Sequence, residues 1–269
     1  MSGVDTAAVD RLPPRGRLSP FSVGVAVGVL VLSYLAGRAV DFDLSGLVTD
    51  LTRPNSVVEG LLNPDWTQIW SRRSRSAFVE TLQVAVLGTI GGAVVALPMA
   101  LYATDYGAPN RVVRGTLRLL NSVIRALPDL LWALIFVSAV GIGALSGLLA
   151  LFFFSIAVIS KLTADTLDSI DRGPVEAGVA VGATNTEMLR TAVFPQILPS
   201  YVSFVLYGFE INLRASAVIG LVGAGGIGER IQFFQGRGEW EQLWGLVILF
   251  FLVVFVVEQI SAFFRRRLV

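Results

Sequence analysis

The sequence predicts an all-α integral membrane protein with about six transmembrane helices, and three observations carry that prediction. Of the 269 residues, 54% are hydrophobic and only 15% are charged. A water-soluble domain of this length needs more polar surface than those charges can cover. The apolar residues also gather into runs near the roughly 20 residues that a helix needs to cross a bilayer, rather than at amphipathic spacing. Positive charges fall unevenly between the segments joining those runs, as in membrane proteins of fixed orientation.

The runs lie at 21–40, 77–102, 117–140, 141–161, 197–222 and 244–264. Residues 1–20 are polar and hold Pro13, Pro14 and Pro20, so they are expected to order only where they meet the membrane. The first run is longer than the apolar core of a cleaved signal. With the loop after it, it makes an N-terminal part, 1–63, ahead of a main transmembrane domain at 64–269. Trp66 and Trp70, one turn apart, suit an interfacial helix that also carries Arg72, Arg73 and Arg75. Pro128 must kink the third run, and Gly141-Ile142-Gly143 leaves room only for a tight turn before the fourth. The polar segment 163–196 is long and helix-compatible, with Asp165, Asp168, Asp171, Arg172, Glu176, Glu187 and Arg190. The sixth run is interrupted by Glu258 and Gln259 and closed by Arg265, Arg266 and Arg267.

With both termini cytoplasmic, the inside collects Arg11, Arg15, Arg17, Arg111, Arg114, Arg118, Lys161, Arg172, Arg190 and Arg265 to Arg267. The outside then holds Arg38, Arg53, Arg72, Arg73, Arg75, Arg230 and Arg237, so twelve positive residues face seven. That direction matches the positive-inside rule.

The chain has no cysteine and no histidine. Thiol nucleophiles, disulfides, Cys/His metal sites and histidine acid–base catalysis are therefore excluded together. No basic stripe interleaves with aromatics, so a nucleic-acid partner is not expected. No Gly-Lys-Ser/Thr occurs, so the chain lacks a nucleotide-binding P-loop and is expected to bind no cofactor and no metal itself.

Within the polar segment stand Glu176, Ala177, Gly178, Gly182 and Pro195. Their spacing fits the cytoplasmic motif of ABC importer permeases: Glu-Ala-Ala, three residues, Gly, nine residues, Ile, one residue, Leu-Pro. Gly178 replaces the second alanine, Ala192 the isoleucine and Phe194 the leucine. The run from Leu206 to Gly228, with Glu210, Asn212 and Arg214 followed by Gly220, Gly223, Gly225, Gly226 and Gly228, resembles the phosphonate branch of that family. Arg125, Pro128, Asp129, Trp132 and Ala133, with Glu80-Thr81-Leu82 and Ala96-Leu97-Pro98, are similar to the same branch. The resemblance covers roughly 64–265. It implies a type I importer permease in a bacterial inner membrane, working as a homodimer with two ATPase subunits and an extracytoplasmic binding protein. ATP and magnesium would belong to the ATPases, and the cargo would be phosphonate, phosphite or phosphate. It also implies that the short helix at 176–182 docks in a cleft of the ATPase. Small residues Ala177, Gly178, Gly182 and Ala183 would let its backbone come close.

Arg125, Glu210 and Arg214 stand inside apolar runs with Asn212 and Ser216 nearby. An ion at mid-bilayer costs about 2.5–3.5 kcal/mol on insertion scales, so each must be paired or face water. Glu210 with Arg214, and Arg125 with Asp129, have i, i+4 spacing and can pair. Two readings stay open: these groups line a path for an anion, or they are structural clasps. The glycines at 223–228 favour a turn at the outer end of the fifth helix over a phosphate cradle, because they follow a membrane helix and not a strand. They would belong to an external gate or a docking face. A transporter or channel for an anion acting alone is the rival, but it leaves 163–196 without a purpose. A membrane enzyme acting on phospholipid would need a nucleophile or a metal set, and no histidine or cysteine is present to supply one.

Overall fold

The computed structural model describes residues 19–40 and 55–268. Pro13, Pro14, Arg11, Arg15, Arg17 and Arg53 lie outside the described residues. The chain divides into two compact units, Met1–Asn55 and Ser56–Val269. In the first, α1 (Pro20–Ala39) begins where Ser19 Oγ accepts the Ser22 amide at 3.1 Å, with Pro20 supplying a preset φ. It carries no charge until Arg38 in its last turn.

The second unit opens with α2 (Ser56–Leu62) and a 3-10 turn (Thr67–Trp70), then α3 (Arg72–Tyr102). Here the expected interfacial helix is corrected. Ser71 Oγ accepts the Ser74 amide at 3.2 Å and caps α3, so Arg72, Arg73 and Arg75 open the long helix. Trp66 and Trp70 bracket the 3-10 turn instead of sharing a helix face, and both are exposed.

The run at 117–140 is also not one continuous kinked helix. It forms α4 (Arg111–Ala126) and α5 (Asp129–Val140), which meet at 88°. Pro128 has no amide to donate, and it forces Leu127 into extended backbone, φ −90° and ψ 127°. Trp132 Nε1 donates to the Ile124 carbonyl at 3.2 Å, satisfying one of the carbonyls orphaned at the corner.

Gly141 (φ 98°) and Gly143 (φ 139°) make the tight turn, and the Gly143 amide reaches the Gly223 carbonyl at 2.8 Å. Then come α6 (Ala144–Asp168), α7 (Gly173–Ala180), α8 (Asn185–Met188), a π turn (Leu189–Val193) and α9 (Phe194–Gly220). The segment 163–196 is thus divided among five elements, with Asp165 and Asp168 on the last turns of α6. The chain closes through α10 (Gly226–Arg237) and α11 (Trp240–Leu268). Trp244 Nε1 on the Val57 carbonyl (2.9 Å) and the Asp65 amide on the Glu241 carbonyl (2.9 Å) tie the α2 segment to the start of α11.

Among the described residues, five helical segments are long and apolar enough to cross a membrane, at 20–39, 72–102, 144–168, 185–220 and 240–268, and the α4–α5 pair makes a sixth if counted as one broken span. Lipid gives helices little hydrophobic reason to associate, so close approach and hydrogen bonds must hold them. At the α3–α6 contact, a Cβ on Gly88 would stand 2.9 Å from that of Leu151. Ala93, Ala96 and Ile159 continue the core, which ends on Ala100, Leu167, Val193 and Ile197 at one pole and on Val84, Ala133, Leu151 and Ile219 at the other.

Candidate functional site

Three sets of residues singled out in the sequence sit at three depths. At the pole where α3 and α6 end, α7 and α8 form a small helical hairpin. Asp171 Oδ1 accepts the Gly173 amide at 2.9 Å, and Pro174 preorganises the first turn of α7. The hairpin turns at Gly182 (φ +78°), where the Ala183 amide bonds the Gly178 carbonyl at 2.9 Å. Thr184 and Glu187 then form a reciprocal capping box. The backbone amide of Thr184, followed by its hydroxyl, holds the Glu187 carboxyl below the usual carboxylate range.

Glu176, Ala177 and Gly182 are exposed, whereas Gly178 and Ala183 are half-buried. Gly178 faces Met188 within the hairpin, where a Cβ would lie at an ordinary contact distance of 3.6 Å from Met188 Cγ, so the hairpin itself would accept an alanine. Val179 and Val181, 60% and 83% exposed, present apolar surface that the motif does not specify. Glu176 lines a cavity of about 550 Å³ with Asp105, Asp168, Arg172 and Asn185. Gln196 ties this hairpin to α9: its Oε1 accepts the Asp171 amide at 3.0 Å, and its Nε2 donates to the Asp171 and Ala192 carbonyls at 3.2 and 2.7 Å. No sequence signal marked Gln196, because one amide side chain looks the same in any helix.

At mid-depth, Asn212 is fully buried and donates to Thr89 Oγ1 of α3 (2.7 Å) and Ser155 Oγ of α6 (2.6 Å). One amide therefore joins three helices. Ser216 is buried, and its hydroxyl turns back to the Leu213 carbonyl at 2.6 Å.

The expected Glu210–Arg214 side-chain pair is corrected. Glu210, 4% exposed, faces α11 and takes Arg265 Nη1 at 2.5 Å, while Arg214 is exposed and reaches only the Glu210 carbonyl, at 3.4 Å. The Arg125–Asp129 pair does not form either. The 88° corner ends their shared helix face, and Asp129 Oδ1 accepts the Leu130 amide at 2.9 Å. Among the described residues, neither Arg125 nor Arg214 has a carboxylate partner, and Arg125 is also exposed. Asp168, on the last turn of α6, takes Arg118 of α4 at 2.9 Å.

At the other pole, Gly223, Gly225 and Gly226 all have positive φ and form a turn. A Cβ on Gly220 would stand 2.8 Å from Gly228 Cα, so two glycines let α9 and α10 touch by backbone. The first amides of α10 are taken by α3, Gly226 by Glu80 Oε1 (3.1 Å) and Ile227 by Thr81 Oγ1 (2.8 Å). These donors are spent within the fold and do not form an open phosphate cradle. In the sequence Glu80 and Thr81 carry only a family resemblance, and their role as a cap depends on the tertiary contact between α3 and α10. Among the described residues, no group of three or more acidic side chains could hold a metal.

Comparison with known proteins gives one family model, the binding-protein-dependent transport system inner membrane component, matching residues 92–269. The phosphite transport system permease protein PtxC of Stutzerimonas stutzeri is 32% identical over 91% of this chain and 88% of its own length. The phosphate-import permease protein PhnE of Mycolicibacterium smegmatis is 39% identical over 71% of this chain, but only 36% of its own length is covered. Among solved structures, an inward-facing form of the MetNI methionine ABC transporter superposes with a TM-score of 0.62 at 20% identity, over 74% of this chain and 99% of that one.

Proposed function

Because this chain belongs to the binding-protein-dependent transport system inner membrane component family, we propose that it forms the membrane path for a phosphorus oxyanion, whether phosphonate, phosphite or phosphate. The chain is a multi-pass, inner-membrane permease subunit of an ABC importer, with the type I importer permease fold. It is a transport subunit, and the ATPase and the substrate-binding protein are separate partners. The relatives' names supply the cargo class.

One observation favours a path lined by this chain. Arg125 and Arg214 are exposed and lack a carboxylate partner among the described residues. A guanidinium at membrane depth cannot rest in lipid without a large penalty, so it faces water or a second copy. Two copies placed face to face would enclose both arginines, which offer bidentate donors to an oxyanion. Asp129 and Ser216 stand close by in sequence, while Glu210 and Asn212 hold α9, which carries Arg214, against α11, α3 and α6.

The motor connection runs through α7. Ala177, Val179, Val181 and Gly182 would meet the ATPase, and Glu176 would offer it a charged contact. The Gln196 bonds to Asp171 carry hairpin displacement into α9. In this arrangement the termini and the α7–α8 hairpin are cytoplasmic, the glycine turn at 223–228 is external, and each of two copies engages one ATPase holding ATP and magnesium.

The test is co-purification from gently extracted membranes, with uptake measured in parallel. Wild type should bring down a stoichiometric P-loop ATPase, and Glu176→Arg and Gly182→Trp should lose it while remaining in the membrane. Arg214→Gln should keep the ATPase but reduce phosphite, phosphate or methylphosphonate uptake about tenfold, the loss of one charge-assisted contact. Absence of any ATPase from wild type would return the chain to a transporter acting alone.

A further inference from the structure

We propose that Arg72, Arg73 and Arg230 form a capture site for a small phosphorus oxyanion at the outer mouth of the permease, ahead of the membrane path. The proposal rests on the oxyanion reading above. These arginines line one cavity of about 530 Å³ between the first turn of α3 and the face of α10, with Glu80, Glu229 and Phe233. Among the described residues, none of them is in an ion pair. Of the two carboxylates in the wall, Glu80 is turned to the Gly226 amide, so its charge is already engaged by the start of α10. The remaining carboxylate, Glu229, leaves the cavity with surplus positive charge.

Arg230 shows most clearly what is missing. Its guanidinium lies 4.8 Å from the ring centroids of both Phe233 and Phe234, which hold the group in place without neutralising it. Its Nε is buried and finds no acceptor. A buried donor without a partner carries a desolvation cost that an arriving acceptor would remove. Burial first, and then the charge of Arg73, push the Arg230 guanidinium below its ordinary value. Arg73 repels Arg230, and Glu229 and Glu239 offset that repulsion only in part, so the pair favours a ligand of opposite charge. A phosphorus oxyanion presents several oxygens to planar donors at once. The position also suits the task, because α10 follows the outer glycine turn, where cargo arrives. A surplus of one sign in a cleft raises the local concentration of its counter-ion. A lipid phosphodiester shares this chemistry, and the recessed Nε of Arg230 favours the smaller anion.

The test uses the whole importer, permease with its ATPase and binding protein, in phosphatidylcholine vesicles with and without phosphatidylglycerol. ATP-driven uptake of radiolabelled phosphite, phosphate and methylphosphonate is measured at low ionic strength. Arg73→Gln and Arg230→Gln should each slow uptake of the carried anion about tenfold in both lipids, with Arg230→Lys between them and wild type. Arg237→Gln, on the same helix but already paired with Glu239 at 2.6 Å, should match wild type. Arg73 is exposed, so its variant tests the site without threatening the fold. Uptake unchanged in both glutamine variants overturns the proposal. A defect confined to phosphatidylglycerol vesicles overturns it in favour of a lipid headgroup. A defect matched by weaker pull-down of the binding protein, loaded and empty alike, overturns it in favour of protein docking. A wild-type importer that carries none of the three anions removes the oxyanion reading itself, an outcome separate from the other three.

Discussion

The two poles of the second unit treat small residues in opposite ways. At the glycine turn, Gly220 and Gly228 are buried, and the amides that open α10 are satisfied by Glu80 and Thr81. At the α7–α8 hairpin, Gly182 meets nothing within 4 Å of where a side chain would begin, and Val179 and Val181 are exposed. One pole is closed by its own chain, and the other leaves small and apolar residues exposed, as the proposed docking on the ATPase requires. A glycine pattern therefore has no single meaning, and what surrounds the backbone decides whether it is an internal contact or a docking surface.

The sharpest way to break this contrast is a side chain at the closed pole. Gly228→Val would drive its new carbons into the Ala217 carbonyl and the Gly220 backbone. The expected loss is at least the roughly 1–3 kcal/mol of an overpacked core, read as reduced folded protein in the membrane and a lower Tm. At the open pole, Gly182→Ala should cost only about 1–2 kcal/mol, because its φ of +78° strains an L-residue while the space is free. Val181→Asp should leave Tm within about 0.5 kcal/mol of wild type, as for other surface changes, yet release the ATPase in a pull-down. An equal loss of stability at both poles would erase the distinction.

The smallest effect concerns Glu187. Its carboxyl is depressed by the Thr184 amide and hydroxyl, so the capping contribution is complete above the normal carboxylate value. It is lost as pH falls through the lowered one. The protection of amides 184–188 against hydrogen exchange, relative to their intrinsic rates, should fall in acid, and Glu187→Gln should make that protection insensitive to pH over the same range. Protection in wild type that does not change with acid would remove the capping box as a determinant of the hairpin.

The straight spans could be read because length and apolarity alone define them: the runs placed at 21–40, 77–102 and 244–264 lie on α1, α3 and α11. Pro128 signalled a disturbance but not its size, since the 88° corner depends on how the extended Leu127 is received by its surroundings. The charged pairs were misassigned for a related reason. Spacing shows which residues share a turn, as Glu210 and Arg214 do, but it cannot show that a helix 55 residues later brings Arg265 to the same carboxylate. Asn212 stood out as a polar group in an apolar run, and its partners Thr89 and Ser155 did not, because a hydroxyl in a membrane helix can bond to its own backbone. The pattern marks 176, 177, 178, 182 and 183 without saying which are exposed, and only the folded hairpin shows that 178 and 183 are half-buried while Val179 and Val181 are exposed.

The Glu210–Arg265 bond also sets an order of events during synthesis. The ribosome makes roughly 5–20 residues each second, so the 55 residues separating the two partners take about 3–11 s to emerge. Throughout that interval the newborn helix holds an acid whose counter-charge has not yet been translated. Insertion must therefore leave α9 near water, the translocation machinery or another helix until α11 arrives. Mutations of Arg265 should accordingly show first as permease degraded soon after synthesis, before any deficit in the mature transporter can be measured.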